Sequence, residues 1–567
     1  MRTLLAADAM AAVEVDDAVL DINQDGAVGP TDVLMILDGL HQQQDSVSDL
    51  DQRMDVNADG AVSPLDAMMV IQRMGRGHGG GRHDGARPDG ERGQTDDASS
   101  SQHDGDVVLA WNNLFNELLV ANEADQNPGY ASRAMAMLNL AIYDAVTVAT
   151  GGDDTFYDYG GDVSSSGRIR ARVAASEAAY TVLSELYPDQ QSTIDDFRDS
   201  MRTGGRRNAA SREVGRAIGN GVIEARANDG SDAIVPYTYT PGIGSFQADP
   251  LNPDVPVWGP GWGEVETFAI SSADSFAPET TPPIDSPEYA ASYNEVKALG
   301  SVDSATRTAD QTEAGIFWAY DRVGLGTPMA LFNDVLESVG VQQGNSLAEN
   351  AAMYAQASVA MADAGIVAWH TKFSEEFWRP ITAIRDGELD GNALTDGDLD
   401  WTALGAPDGG NDVVGFTPQF PTYISGHATF GGALFGALQE FYGTDDIAFD
   451  VTSNELEILM DNPALEAAYG LDLDDAVRTF DSFSEAMAEN GRSRVYLGIH
   501  FDFDDLVGQE VGQAVATTVA SEFVVPTRGG GHGGPGDPGA GPGGGPGGHG
   551  NHGGGRRGGG HGGDRLA

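Results

Sequence analysis

Two glycine-rich segments, which carry almost no large apolar side chains, decide where this 567-residue chain can build a core. They cover residues 76–106 and 527–567. Neither segment can bury enough apolar surface to offset the entropy that its backbone would lose on ordering. We therefore predict a flexible linker at 76–106, a disordered tail at 527–567, and folded parts at residues 16–75 and 107–526.

The charge balance limits the partners of the chain. Its 31 basic and 87 acidic side chains give a net charge of −56. Such a surface repels nucleic acid and anionic lipid, so we expect neither as a partner. The absence of cysteine excludes disulfides, thiolate zinc sites and cysteine nucleophiles. No apolar run reaches membrane-spanning length. The first residues do not form a clear signal peptide, and we nevertheless expect an extracellular or cell-surface protein.

The long segment between the glycine-rich regions has helical periodicity. Apolar residues recur at helical spacing in "ASRAMAMLNLAIYDAVTVAT" and in "RIRARVAASEAAYTVLSELY", and strand alternation is scarce. Residues 232–290 are rich in proline, tyrosine and glycine, which favours long loops. We predict a mainly α fold: a large helical-bundle domain with loops over one end, preceded by a small two-loop calcium-binding α module.

A repeat near the amino terminus predicts this calcium module. "DINQDGAVGPTD" at residues 21–32 recurs as "DVNADGAVSPLD" at residues 55–66. Each copy offers oxygen ligands at positions 1, 3, 5, 7 and 12 of a calcium loop, with glycine at the sharp turn, so we expect two calcium ions. The duplicated loop and helix, with aspartate at position 12, resembles a type I dockerin module, which implies a cohesin-like partner. The expected ligands are Asp21, Asn23, Asp25, the Ala27 carbonyl, Asp32, Asp55, Asn57, Asp59, the Ala61 carbonyl and Asp66.

Ser425-Gly426-His427 stands directly before an apolar-periodic helix. The start of a helix presents free backbone N–H groups and a partial positive charge, which suits an anion. A histidine there can transfer a proton. Taken alone, the pattern is also what an ordinary serine N-cap beside a chance histidine would give.

His500 and Asp504 are four residues apart, so a helix would place them on one face. A carboxylate in that position can fix the imidazole tautomer, leaving the other ring nitrogen as nucleophile or ligand. Arg494 adds a permanent positive charge with a planar fork of donors. A surface ion pair would account for the same spacing.

Lys372 is one of only two lysines in the chain. It lies seven residues before Arg379, so both would stack on one face if the helix continued to Pro380. Three cations, a helix start and two histidines together describe a pocket for a tetrahedral oxyanion. The cations and N–H groups suit its equatorial oxygens, and one histidine suits each apex.

The chain resembles vanadium-dependent haloperoxidases and type 2 phosphatidic acid phosphatases in three ordered patterns, which are Lys372…Arg379-Pro380, Ser425-Gly426-His427 and Ser493-Arg494…His500…Asp504. The resemblance implies vanadate as cofactor, His500 as its covalent ligand, His427 as the acid–base residue and Asp504 as the group that orients His500. The groups implied to hold the vanadate oxygens are Lys372, Arg379, Ser425, the Gly426 N–H and Arg494. The carboxylate partner of Arg494 stays open between Asp310 and Asp321.

The resemblance leads to three hypotheses. The first is a vanadate-dependent haloperoxidase that oxidises bromide, chloride or both with hydrogen peroxide to hypohalous acid. Trp369 and Phe420 resemble the apolar halide-side residues of the chloroperoxidase-like branch, although ordinary core packing would also explain them. The second is an acid phosphatase with a phospho-histidine intermediate at His500. The third is a calcium-dependent assembly protein with a vestigial pocket.

Overall fold

The computed structural model describes residues 106–524, and within that range it leaves out residues 123–126, 153, 161–162, 164–168, 202, 323 and 408–414. The chain divides into two units, Met1–Thr95 and Asp96–Ala567, and every described residue belongs to the second. The ten predicted calcium ligands, the predicted tail and all but the last residue of the predicted linker lie outside the described residues.

Helices dominate the described residues, which confirms the predicted mainly α fold. In chain order they are α1 (Val107–Ala121), α2 (Pro128–Thr150), α3 (Ala171–Leu186), α4 (Gln191–Ser200), α5 (Ala209–Arg226), α6 (Pro287–Leu299), α7 (Ala309–Phe317), α8 (Thr327–Gln342), α9 (Leu347–Glu375), α10 (Pro380–Arg385), α11 (Gly426–Tyr442), α12 (Asn454–Asp461), α13 (Pro463–Ala468), α14 (Phe483–Tyr496) and α15 (Asp502–Ala520). Two short strands, β1 (Phe449–Thr452) and β2 (Val477–Phe480), pair antiparallel, with Phe449 opposite Phe480.

Helix α9 runs through the core of the bundle and packs against α2, α11 and α15. It begins with a capping box, in which the Ser346 hydroxyl accepts from the Glu349 N–H and the Glu349 carboxylate accepts from the Ser346 N–H. The expectation that no apolar run reaches membrane-spanning length is wrong for this helix, which is long and apolar enough to cross a membrane. Its apolar stretch is entirely buried within the bundle. A core helix of a folded domain has the same length and composition.

The most extensive helix–helix contact joins α11 and α15. A glycine allows the close approach: a Cβ on Gly512 of α15 would lie 2.2 Å from the carbonyl oxygen of Thr429 on α11. The starts of the two helices are also joined, because the Ser425 N–H donates to the Asp504 carbonyl at 3.0 Å. This packing fixes the residues at the two helix starts relative to each other.

Two expectations about helix ends are wrong. Helix α9 stops at Glu375, and Glu376 adopts a left-handed conformation with φ 47°. Arg379 is instead the N-cap of α10, because Pro380 disfavours helical geometry at the residue before it. Lys372 and Arg379 therefore do not share a helix face. Likewise α15 begins at Asp502, so His500 precedes the helix that carries Asp504.

The proline-rich stretch predicted as loops, residues 232–290, contains two 3₁₀ turns, Trp262–Glu264 and Ala273–Phe276, before α6 begins. A buried carboxylate of α9 anchors it: Asp363 accepts from three consecutive backbone N–H groups, those of Phe268, Ala269 and Ile270, at 2.6–3.0 Å. The same stretch supplies Trp258, which packs against Trp369 with ring centroids 4.9 Å apart.

Candidate active site

A cavity of about 330 Å³ lies at the start of α11. The residues that line it include Val255, which is exposed, and Phe430, which is buried. The predicted site residues in the lining are Trp369, Phe420, Gly426, His427, Arg494 and His500. The remaining four, which are buried and contact or adjoin those lining residues, are Lys372, Arg379, Ser425 and Asp504. The structure thus brings together all ten positions of the predicted pocket.

His500 is held by partners on both ring nitrogens. Nδ1 lies 2.9 Å from Asp504 Oδ2, and Nε2 lies 3.0 Å from Arg379 Nη1. A guanidinium only donates, so Nε2 accepts and the ring proton resides on Nδ1, where it is donated to Asp504. Burial and the adjacent charge of Arg379 hold the pKa of His500 well below its usual range. His500 therefore offers a neutral ring with a lone pair on Nε2.

Asp504 makes this contact without a shared helix face. It is the third residue of α15, and its Oδ2 accepts from the Phe501 N–H at 3.1 Å as an N-terminal helix carboxylate does. Burial raises the pKa of Asp504 to about 6, while a hydrogen bond from Thr422 and the charge of Lys372 oppose that rise. The carboxylate is thereby fixed against the ring by its own helix start.

Arg379 and Arg494 each have guanidinium N–H donors without a hydrogen-bond partner. Arg379 Nε donates to the Phe420 carbonyl and Nη1 to the Ile499 carbonyl, both at 2.8 Å, but Nη2 is buried without a partner. Arg494 Nη2 donates to Asp321 Oδ2 at 2.6 Å, whereas its Nε and Nη1 are buried and unpartnered. Burial lowers the pKa of Arg379 to about 9.

The structure also decides the carboxylate that the sequence left open. Asp321 pairs with Arg494 and lines the cavity, while Asp310 lies 2.9 Å from Arg478. Asp310 lies in the first turn of α7 and Asp321 follows the same helix, so spacing alone does not distinguish them.

Lys372 faces backbone carbonyls. Its Nζ donates to the carbonyls of Pro421, Thr422 and Ile424 at 3.0, 2.9 and 2.5 Å. Three acceptors need three N–H donors, which only the ammonium form has. Burial, followed by the charge of Arg379, lowers the pKa of Lys372 well below its usual range, which favours the neutral amine. The three carbonyl acceptors favour the ammonium form instead, and this geometry assigns Lys372 as a cation. The predicted contact with an oxyanion oxygen would replace one of these three bonds, so Lys372 also anchors the segment that leads to Ser425.

His427, the second residue of α11, has one nitrogen fixed and one available. Its Nε2 donates to the Trp318 carbonyl at 2.8 Å, since a carbonyl only accepts. Burial and the charge of Arg494 hold the pKa of His427 well below its usual range. The neutral ring therefore carries its lone pair on Nδ1 and can act as a base.

The start of α11 has the geometry of an anion site. Ser425 is its N-cap, with Oγ accepting from the Ala428 N–H at 3.3 Å. The alternative interpretation of Ser425 as an ordinary N-cap is therefore also correct. Capping leaves the hydroxyl hydrogen free to donate. The N–H groups of Gly426 and His427 belong to the first turn and have no intrahelical acceptor. A Cβ on Gly426 would lie 3.2 Å from the Trp369 ring, which shows how closely the wall approaches.

Trp369 and Phe420 form the aromatic wall, with ring centroids 5.1 Å apart. The Lys372 Nζ lies 5.7 Å and 5.1 Å from the centroids of these two rings. The Trp369 indole N–H is buried without a partner. These contacts are those of ordinary core packing, and the indole nitrogen itself lies close to Gly259, where a Cβ would come within 2.3 Å of it.

The sequence reading missed two contributors. Thr422 reaches both His500 and Asp504 with its hydroxyl, and the Trp318 carbonyl fixes the His427 ring. Thr422 lies 78 residues from His500, so only tertiary packing brings them together. Every residue has a backbone carbonyl, so the sequence does not show which one accepts a hydrogen bond from a histidine.

The chain is similar to known proteins over both of its predicted folded parts. Residues 352–526 match the family described as the VCPO second helical-bundle domain, and residues 19–75 match the dockerin type I domain. Vanadium chloroperoxidase from Curvularia inaequalis is 29% identical over 515 residues, which is 76% of this chain and 83% of the relative.

Solved structures share the fold. A bacterial vanadium-dependent iodoperoxidase aligns with a TM-score of 0.58 at 22% identity, covering 77% of this chain and 100% of that chain. The apo form of a bacterial vanadium-dependent chloroperoxidase aligns with a TM-score of 0.52 at 15% identity, covering 70% of this chain and 94% of that chain. The helical bundle is therefore one that haloperoxidases adopt.

Proposed function

We propose that this chain, an oxidoreductase that belongs to the vanadium-dependent haloperoxidase superfamily and carries a type I dockerin module, oxidises halide with hydrogen peroxide to hypohalous acid. One observation carries the proposal. Two buried guanidinium groups keep unpartnered N–H donors: Arg494 lines the same cavity as His500, and Arg379 contacts His500 Nε2 through its other terminal nitrogen. Buried donors without partners are costly, and an oxyanion would satisfy them.

The residues present fit vanadate, a tetrahedral oxyanion. The unpartnered donors are Arg379 Nη2, Arg494 Nε and Arg494 Nη1. The first-turn N–H groups of α11 and the hydroxyl hydrogen of Ser425 add further donors. His500 Nε2 would be the single protein ligand. When bound, vanadate supplies a Lewis-acidic centre at which peroxide is activated toward halide.

A residue of the chain, His427, would transfer the proton that the reaction moves. In the overall reaction a halide ion loses two electrons, the O–O bond of hydrogen peroxide breaks, and one oxygen leaves as water while the other stays with the halogen. His427 Nδ1 accepts a proton from hydrogen peroxide and returns it to the departing oxygen, which leaves as water. One further proton, taken up from solvent, converts the hypohalite to hypohalous acid, so that halide, hydrogen peroxide and one proton give hypohalous acid and water. Its lowered pKa supports the role of base, because the ring is neutral at neutral pH.

The aromatic wall supports a halide site. Trp369 and Phe420 both line the cavity and present apolar surface to it. Such a wall removes water from an anion without binding it tightly. Bromide, chloride or both are proposed as substrates on this basis.

The experiment compares two activities in one preparation. Vanadate-free full-length protein is assayed with orthovanadate, hydrogen peroxide, bromide and a phenolic dye, beside the His500→Ala variant. We expect dye bromination only in the wild type and only with vanadate. The same protein is tested for hydrolysis of 4-nitrophenyl phosphate.

A phosphatase would give the opposite pattern. Hydrolysis without vanadate, inhibition by vanadate and no bromination would replace the proposal with the acid phosphatase, in which His500 attacks phosphorus. That reaction needs a protonated His427 to protonate the leaving alcohol, whereas the lowered pKa of His427 favours the neutral ring.

The module at residues 19–75 adds a proposed assembly role. We propose that its two loops hold two calcium ions through the predicted ligands and that the folded module binds a cohesin-like protein. An extracellular or cell-surface location is proposed with it. Calorimetric titration of the chelator-treated full chain with calcium tests the number of ions, and a stoichiometry of one per chain would contradict the proposal.

A further inference from the structure

The hydroxyl of Thr422 lies between two side chains of the site. Thr422 is fully buried, three residues before Ser425. Its Oγ1 lies 3.0 Å from His500 Nδ1 and 2.5 Å from Asp504 Oδ2. Its backbone is held separately, because its N–H donates to the Phe377 carbonyl at 3.0 Å and its carbonyl accepts from Lys372. The hydroxyl can therefore be removed without losing the backbone contacts.

The directions of these hydrogen bonds follow from the donors available. An ionised carboxylate only accepts, so Thr422 donates its single hydroxyl hydrogen to Asp504. Three donors then converge on Asp504 Oδ2, from Thr422, His500 and the Phe501 N–H, whereas Oδ1 has no partner. One carboxylate oxygen is thus fixed in position while the other contributes nothing.

This arrangement accepts one tautomer of His500. With the ring proton on Nδ1, the ring donates to Asp504 Oδ2 and Nε2 accepts from Arg379. With the proton on Nε2, two donors would face each other at 3.0 Å, and the Nδ1 lone pair would face the carboxylate at 2.9 Å. The orientation of the carboxylate therefore decides which ring nitrogen carries the proton and which carries the lone pair.

We infer that Thr422 is a positioning residue, whose hydroxyl fixes the Asp504 carboxylate and thereby holds the His500 ring with its proton on Nδ1 and its lone pair on Nε2. The second contact of the hydroxyl, with Nδ1 itself, limits rotation of the ring. Losing a hydrogen-bond partner of a ligating side chain typically lowers ligand affinity or activity by roughly 10- to 100-fold. The inference rests on the proposed function only in its choice of vanadate as ligand.

The first measurement needs no ligand. The full chain is labelled with ¹⁵N-histidine, and the His500 ring signals are assigned by their loss in the His500→Gln variant. In the wild type we expect the pattern of a neutral ring protonated on Nδ1. A ring protonated on Nε2 would overturn the inference whatever the activity of the protein.

The second measurement compares three variants. Thr422→Val removes the hydroxyl at nearly constant volume, and Thr422→Ser keeps it. Thr371→Val is the matched control, since Thr371 is another buried threonine, adjacent to Lys372, whose hydroxyl bonds only to the Val367 carbonyl of its own helix at 2.9 Å. Orthovanadate affinity is measured by equilibrium dialysis.

We expect Thr422→Val to weaken orthovanadate binding by roughly 10- to 100-fold and to mix the two His500 tautomers. Thr422→Ser and Thr371→Val should keep both properties near the wild type. Unchanged affinity and an unmixed tautomer in Thr422→Val would overturn the inference, as would equal losses in Thr422→Ser. If Thr422→Val does not fold, the ring signals of the wild type and the affinity of Thr422→Ser still decide the question.

Discussion

Three cations are buried at the site of a chain with a net charge of −56: Lys372, Arg379 and Arg494 are each at most 1% exposed. Desolvating a cation is costly unless hydrogen bonds and opposite charge compensate. Lys372 is compensated by carbonyls, and Arg494 is compensated in part by Asp321. The guanidinium donors that remain are the ones available to an oxyanion.

The three carbonyl contacts of Lys372 lead to a prediction about stability. Lys372→Met keeps the length of the side chain but leaves the carbonyls of Pro421, Thr422 and Ile424 without their donor. We expect a loss of about 3 kcal/mol in the free energy of unfolding, together with weaker vanadate binding. Urea denaturation and equilibrium dialysis measure the two effects.

The other lysine provides the control. Lys297 donates to the Asp396 carbonyl near the surface, so Lys297→Met should change stability by less than about 1 kcal/mol and leave binding intact. If Lys372→Met weakened vanadate binding at unchanged stability, the anchoring role described for Lys372 would be wrong.

Residue types and order predicted which side chains form the pocket, but contacts between distant segments were beyond the sequence. Asp310 and Asp321 are equally acidic and close in sequence, and only the path of the chain after α7 places Asp321 against Arg494. Thr422 carries no spacing signal, because its partner His500 belongs to another segment.

Among the helices, α11 and α15 determine the site geometry, since one begins at the Ser425 N-cap and the other carries Asp504 in its first turn. The periodicity of the sequence predicted that helices dominate, yet it misjudged the end of α9 and the start of α15. Pro380 marks the break after α9, and the left-handed Glu376 precedes it. Apolar periodicity alone does not show where α9 ends, because Phe377 and Trp378 continue the apolar pattern after its last residue.

The close approach of these helices can be tested at one glycine. In Gly512→Ala the new Cβ would lie 2.2 Å from the Thr429 carbonyl oxygen, a backbone atom that no side-chain rotation can move. We expect a loss of about 3 kcal/mol in the free energy of unfolding and weaker vanadate binding, because α15 must move away from α11.

Gly436→Ala serves as the comparison at the same interface. There the nearest atom is the Ala516 Cβ at 3.1 Å, and the gain in helix propensity, about 1 kcal/mol, offsets much of the crowding. Thermal and urea unfolding of both variants should rank Gly512→Ala clearly below Gly436→Ala. Equal stability would show that the helices are not held at this distance.

For the molecule as a whole, carboxylates that the fold buries make the stability depend on pH. Asp334 of α8 accepts from Asn116 of α1 at 2.9 Å. Burial and the nearby Glu337 raise the pKa of Asp334 to about 7. A folded-state pKa above the unfolded value means that the stability contribution is complete below about pH 4 and is lost as the pH rises to about 7.

Asp334→Asn removes this charge and keeps the acceptor for Asn116. We expect the stability advantage of the variant over the wild type to grow by about 2–3 kcal/mol between pH 5 and pH 8, measured by urea unfolding at both values. An advantage independent of pH would contradict a carboxyl group that titrates in this range.

Calcium gives a further prediction for the whole chain. Because the predicted ligands all lie within residues 16–75, we expect a calcium chelator to abolish binding of a cohesin-like partner while vanadate-dependent bromination continues at an unchanged rate. Pull-down and dye assays on one chelated sample measure both. Loss of bromination on chelation would contradict separate roles for the two parts.

We expect vanadate to occupy the pocket of buried cations and histidines. The most direct measurement titrates vanadate-free full-length protein with orthovanadate and follows the initial rate of bromide oxidation by hydrogen peroxide. We predict that the rate saturates at one vanadate per chain and stays at background in His500→Ala. A wild-type rate that does not respond to vanadate, or equal rates in the two proteins, would contradict the account.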